Sequence, residues 1–96
     1  MSLRIKWTHR ALARLDHIGA YIARHDPGAA SRVIIRIRSI VESLPDHPLM
    51  GKAGRVAGTR EMVLSDIPYI VAYRATKNEI EILTILHTSQ RWPKSF

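Results

Sequence analysis

The sequence predicts an α+β fold: an N-terminal strand, an antiparallel helical hairpin, then a three-stranded antiparallel meander. Three observations carry that prediction. Two helical stripes of apolar residues lie between Ala11 and Leu44, a short alternating segment precedes them, and three apolar runs separated by turn signals follow Gly58.

The alternating segment sets Leu3, Ile5 and Trp7 against Arg4 and Lys6, the period-2 pattern of a half-buried strand with a basic outer face. Thr8 is placed to N-cap a helix in which Ala11, Leu12, Leu15, Ile18 and Ile22 recur every three or four residues, while Arg10, Arg14, His17 and Arg24 point elsewhere. Asp26-Pro27 marks a second start, with Asp as N-cap and Pro at the first helical position, where its missing amide proton costs nothing. Ala30, Val33, Ile34, Ile37, Ile40, Val41 and Leu44 then form a core-facing stripe, the strongest periodic signal in the chain. Many of these residues are β-branched and only moderate helix formers, so burial, at roughly 1.5 to 3 kcal/mol per large side chain, must make this helix rather than propensity. The connector centred on His25 and Asp26 is short enough to force an antiparallel hairpin.

From Pro45 to Arg55 the residues Asp46-His47-Pro48-Leu49-Met50-Gly51-Lys52-Ala53-Gly54 carry the punctuation of an irregular loop. Strands are expected over Arg60 to Leu64, Tyr69 to Ala75 and Glu79 to His87, divided by Asp66-Ile67-Pro68 and by Lys77-Asn78. In the last of these, simple alternation puts Ile80, Ile82, Thr84 and Leu86 on one face and Glu81, Leu83, Ile85 and His87 on the other. Its distal half therefore looks buried on both sides, as in a central strand. The tail from Thr88 to Phe96 is polar and basic with two aromatics, and no internal repeat is visible.

A chain of 96 residues with 46% hydrophobic content reads as one domain, residues 1–96. At this size only about 60 to 65% of the unfolded surface is buried on folding, so a tightly bound partner suits it. With no cysteine, disulfides and thiolate metal sites are excluded. No metal or nucleotide-phosphate motif appears, and no cofactor is implied. The start has no apolar signal-peptide region and no run approaches a membrane span, so the cytoplasm is the expected compartment, with no membrane partner. Fifteen Lys and Arg against eight Asp and Glu, a formal charge of +7, favour an anionic partner: nucleic acid, the ribosome or an acidic protein.

The hairpin, the loop ending Gly54-Arg55, and Gly58-Thr59-Arg60-Glu61 entering a strand together resemble the middle of RelE/ParE superfamily toxins. Tyr69-Ile70-Val71-Ala72-Tyr73-Arg74 is similar to the aromatic-bracketed strand of that family. Ile80 to Leu86, followed by His87 and Arg91-Trp92-Pro93, is similar to its closing signature. The resemblance implies the toxin of a type II toxin-antitoxin module. Such a toxin arrests growth and is held silent in a hetero-oligomer by a cognate antitoxin whose partly disordered segment folds on binding.

Two activities are associated with this fold. ParE-like toxins poison DNA gyrase and need only a complementary surface. RelE-like toxins cleave mRNA on the ribosome, which requires a proton acceptor, a proton donor and cations around a phosphate-centred transition state. Where the ribonucleases compared carry lysines in the strand after the loop, and an arginine after the first aromatic of the next strand, this chain holds Glu61, Val63 and Ile70. That departure, with the two long helices, favours the ParE-like activity. The ribonuclease alternative keeps His47 and His87 as proton carriers with Arg60 and Arg91 for phosphate, since Asp46-His47-Pro48-Leu49 resembles a loop of a histidine-using branch. For target or antitoxin binding the candidates are Arg60, Arg74, Arg91 and Trp92. The bland roles are also open: cross-strand pairing of Arg60 or Arg74 with Glu61, Glu79 or Glu81, a solvated His47, and core positions for Trp7, Tyr69 and Tyr73.

Overall fold

The computed structural model describes residues 3–96; the first two residues of the expected domain lie outside the described residues. Strand β1 (Arg4–Trp7) leads into helices α1 (His9–Ala23) and α2 (Pro27–Ser43), and a 3-10 turn at Leu44–Asp46 ends the helical layer. Strands β2 (Lys52–Ala53), β3 (Arg60–Val63), β4 (Tyr69–Ala75) and β5 (Glu79–His87) follow.

Both expected caps form. The Thr8 hydroxyl accepts the Ala11 N–H at 3.1 Å, and the Asp26 carboxylate accepts the Ala29 N–H at 3.0 Å, each satisfying an amide that the helix itself leaves open. In α1 the buried set is Ala11, Leu15 and Ile18, whereas Leu12 is 44% exposed and lies outside the stripe drawn for it from sequence. The α2 stripe is buried at Ala30, Ile37, Val41 and Leu44, with Val33, Ile34 and Ile40 packed at its margins.

The sheet runs β1-β5-β4-β3-β2, so the expected meander is the centre of a five-stranded sheet. β1 joins it in parallel beside β5, which makes β5 a strand paired on both edges. The added strand is β2, two exposed residues antiparallel to β3 within the segment that sequence alone marks as loop. With no side chain to bury, it leaves no periodic trace. One helix layer covers one face, where Ile5, Trp7, Tyr69, Val71, Tyr73, Ile80, Ile82 and Ile85 meet the stripes of α1 and α2.

The alternation expected along β5 breaks at Leu83. Tyr73 pairs with Ile82 while Ala72 pairs with Thr84, so one residue is bulged out and the side-chain phase reverses. Ile85 and His87 therefore share the helix-facing side with Ile80 and Ile82, and Thr84 and Leu86 turn to the outer face. β1 is shorter than β5, and the β5 carbonyls near and beyond its end are taken by α1. The single Thr8 hydroxyl proton is shared between Ile82 O and Leu83 O, at 2.8 and 3.0 Å from Oγ1, and Arg14 Nε donates to Ile85 O at 3.2 Å.

Tyr73, fully buried, pins the loop that precedes β2. Its hydroxyl donates to Pro48 O and accepts from the Gly51 N–H, both at 2.9 Å. Burial holds the Tyr69 and Tyr73 phenols above their ordinary pKa of 10.0, because the charged phenolate would be poorly solvated. In the unfolded chain these groups ionise first, so stability should fall as pH rises past about 10. Denaturant unfolding between about pH 8 and about pH 11 checks this, and Tyr73→Phe should show a shallower alkaline decline than the parent.

Candidate functional site

Directly paired residues share a sheet face and successive residues alternate, so the register decides which candidates meet. Arg60 is opposite Tyr73 and belongs to the helix side. Arg74, one residue further, belongs to the outer face opposite Glu81. The two arginines thus lie on adjacent strands but back to back. Arg60 reaches under the loop and donates to Gly51 O at 2.8 Å, a structural use of its charge. Arg74 makes a half-exposed pair with Glu81 at 3.1 Å, the cross-strand pairing that sequence offers as its plain role.

The histidines also separate. His47 shares a shallow depression of about 490 Å³ with Pro48, Leu49 and Met50, and this loop is tied to Tyr73. His87 stands opposite Tyr69, edge-on to its ring at 5.3 Å. Tyr69 and Tyr73 are four residues apart on one strand, roughly 13 Å at strand rise. Proton exchange through a shared substrate atom needs each group within about 3 Å of it, or one water beyond. His87 has other company: Arg14, His17, Tyr21, Tyr69, Ser89 and Gln90 line a polar hollow of about 420 Å³ around it. Its Nδ1 accepts the Ser89 N–H at 3.1 Å.

Arg91 and Trp92 lie together in the tail, which crosses the outer face of β5. With Arg10, Arg14, Thr84, Leu86, Gln90 and Pro93 they enclose a cleft of about 360 Å³. The Gln90 side-chain oxygen fixes the start of the tail, accepting from the His87 N–H at 2.9 Å and from Arg14 Nη2 at 3.0 Å.

On the outer face, β3 holds a group that sequence reading treats as a lost cation or as a cross-strand partner of Arg60 or Arg74. Glu61 is opposite Ala72, and its side chain is completely buried. One carboxylate oxygen accepts the Arg55 N–H at 2.7 Å; the other has no hydrogen-bond partner and faces Arg55 Nε at 3.9 Å. The Arg55 guanidinium lies over the Trp92 ring at 4.2 Å, a cation–π contact, and the buried Trp92 Nε1 is likewise without a partner. Glu61, Arg55 and Trp92 therefore form a relay from β3 to the tail. Arg55, Arg10 and Arg14 are the contributors that sequence reasoning passes over; a carboxylate between Arg60 and Met62 in an alternating strand was the available signal for Glu61.

Among the described residues four arginines have carboxylate partners, Arg32 with Asp26, Arg36 with Asp66, Arg55 with Glu61 and Arg74 with Glu81. The Arg36 hydrogen bond holds the exposed Asp66 carboxyl below its ordinary range. Arg10, Arg14 and Arg91 enter no ion pair among the described residues. In the same set no group of three or more His, Cys, Asp or Glu is arranged to hold a metal, and no helix is long and apolar enough to cross a membrane.

Comparison with known proteins agrees with this architecture. A family model described as the ParE toxin of type II toxin-antitoxin system, parDE, matches residues 5–92. The Y4kP protein of Sinorhizobium fredii, a toxin by name, is 54% identical over 91 residues, 95% of this chain and 94% of that protein. Toxin RelE2 of Caulobacter vibrioides is 33% identical over 87 residues, 91% of this chain and 97% of its own. A chain from the solved "Chromosomal ParDE TA system from P. aeruginosa" superposes with a TM-score of 0.80 at 29% identity, covering 90% of this chain and 96% of that one. A hairpin on a five-stranded sheet with β1 parallel to β5, matched over nearly all its length, makes this chain a member of the ParE toxin family of type II toxin-antitoxin systems.

Proposed function

We propose that this toxin arrests growth by inhibiting DNA gyrase in the cytoplasm, and that a cognate antitoxin neutralises it by binding in a toxin-antitoxin hetero-oligomer. The observation that carries this reading is Glu61. The strand in which the ribonuclease branch carries lysines here holds a wholly buried carboxylate engaged with Arg55. A negative charge at that place opposes a phosphate-centred transition state, whereas a binding surface tolerates it. The separation of His47 from His87 and the likeness to a ParDE chain support the same reading.

Purified toxin added to gyrase should block supercoiling of relaxed plasmid and accumulate double-strand breaks, and equimolar antitoxin should reverse both effects. Undisturbed supercoiling at a large molar excess of folded toxin would count against the proposal.

The second reading is the ribosome-dependent mRNA interferase. The hollow that gathers His17, Tyr21, Tyr69 and Arg14 around His87 favours it. It requires codon-phased cuts on translating ribosomes, and His87→Ala must abolish them.

A further inference from the structure

The cleft under the tail continues into a second one. Thr8, Arg10, Arg74, Glu81, Leu83 and Phe96 line an adjoining cavity of about 250 Å³, and Arg10 belongs to both. Along this track an aromatic side chain of the tail stands in each cavity, Trp92 in the first and Phe96 in the second, with a guanidinium between them. The first cavity adds Arg14 and Arg91 and has no carboxylate in its lining; the Glu81 carboxylate of the second is offset by Arg74 at 3.1 Å.

We propose that this track binds a single-stranded phosphodiester chain, with successive bases packed against Trp92 and Phe96 and the linking phosphate held by Arg10. The chemistry follows from three features. Arginine presents a planar fork of donors that matches phosphate oxygens, and all the cations here are arginines. Alternation of flat apolar surface with positive charge is the pattern by which proteins take single strands without reading sequence. The track is concave, and its volumes lie near or below the lower end of small-ligand pockets, roughly 300 Å³, so each cavity has room for one splayed base. A duplex keeps its bases paired and stacked inside and presents none for such cavities to take.

The first wall is already fixed. Arg14 is tied to Ile85 O and Gln90 Oε1, and Trp92 is held by Arg55, which is held in turn by Glu61. One face of the Trp92 ring carries the Arg55 guanidinium, and Trp92 lines the cleft. This binding is proposed independently of the gyrase reading and involves no cleavage step.

The test is fluorescence anisotropy of labelled oligothymidylate of about 10 nucleotides, titrated with the purified toxin at low salt and without gyrase. Binding should weaken steeply with salt. Arg10→Ala should loosen it about tenfold and lower the slope of log affinity against log salt by about 1. Trp92→Ala and Phe96→Ala should each loosen it about tenfold, and Trp92→Phe, which keeps a ring, should retain most of it. Arg38→Ala removes the same charge from α2 and should change affinity by about twofold or less. Oligouridylate of equal length, run in parallel, distinguishes an RNA source from a DNA one; binding of either supports the site. Equal loss in Arg38→Ala and Arg10→Ala, a duplex bound as tightly as the single strand, displacement by polyglutamate at equal or lower concentration, or no binding at low salt would each overturn it. Circular dichroism melting of every variant separates lost binding from lost fold.

Discussion

Gly51→Ala should destabilise the domain by about 3 kcal/mol, which in a chain of this size lowers Tm by roughly 15 °C. A methyl group placed on Gly51 would stand 2.7 Å from Tyr73 Cε1, 2.8 Å from its hydroxyl and 3.0 Å from the Glu61 carbonyl oxygen. None of these yields cheaply. Tyr73 is fully buried among Ile82, Val71 and the α2 stripe, and the Glu61 carbonyl belongs to a paired strand. The chain must retreat instead, which breaks the Gly51 to Tyr73 hydrogen bond and frees the loop through Pro48. Tyr73→Phe should cost about 2 kcal/mol by stranding the Gly51 N–H and the Pro48 carbonyl. Because both changes dissolve one clamp, the double variant should cost clearly less than their sum. Urea unfolding of the four proteins completes the cycle, and strict additivity would refute the shared clamp.

A surface-looking side chain should matter almost as much. Arg55→Ala is expected to cost about 2 to 3 kcal/mol, although that guanidinium is about half exposed. Its value lies in what it leaves behind. Glu61 is sealed from water, and without Arg55 its carboxylate would retain only the single bond from the residue-55 amide. Breaking a fully buried pair costs about 3 to 5 kcal/mol, and the 3.9 Å separation and partial exposure of Arg55 justify a lower figure. The same substitution removes the cation over Trp92 and loosens the tail. Glu61→Gln should recover a large part of the loss in the Arg55→Ala background, because an amide needs no counter-charge. Equal stability of Arg55→Ala with Glu61 or Gln at that position would show that the charge plays no part.

The helical half of the molecule was legible because its signals are local: Thr8 and Asp26 cap where their types and positions require, and the stripe from Ala30 to Leu44 faces the core. The three long strands were legible from turn residues between apolar runs. The register was not. In Ile82-Leu83-Thr84-Ile85-Leu86 nearly every residue is apolar, so no polar partner records where the phase reverses, and the bulge at Leu83 passes unseen. Arg60 and Arg74 look like neighbours on one cationic surface until pairing of Arg60 with Tyr73 turns one of them to the helix side. Arg91 and Trp92 are neighbours in the sequence, but the cleft they line is completed by Arg10 and Arg14 from the other end of the chain, and Arg55 packs on Trp92. Contacts of that kind have no period to betray them. The displacement of cations by Glu61 was visible, while its burial was not, since a carboxylate in a strand is ordinarily solvated.

The parallel seam between β1 and β5 also governs when the molecule becomes whole. Thr8 and its acceptor Ile82 are 74 residues apart, so this closure belongs to the contacts of longest loop and is among the last the chain can make. During synthesis, at about 5 to 20 residues per second, roughly 4 to 15 seconds separate the appearance of β1 from that of its partner strand. Within that interval the nascent polypeptide gains its hairpin but has no completed sheet, and its first strand waits unpaired on the ribosome.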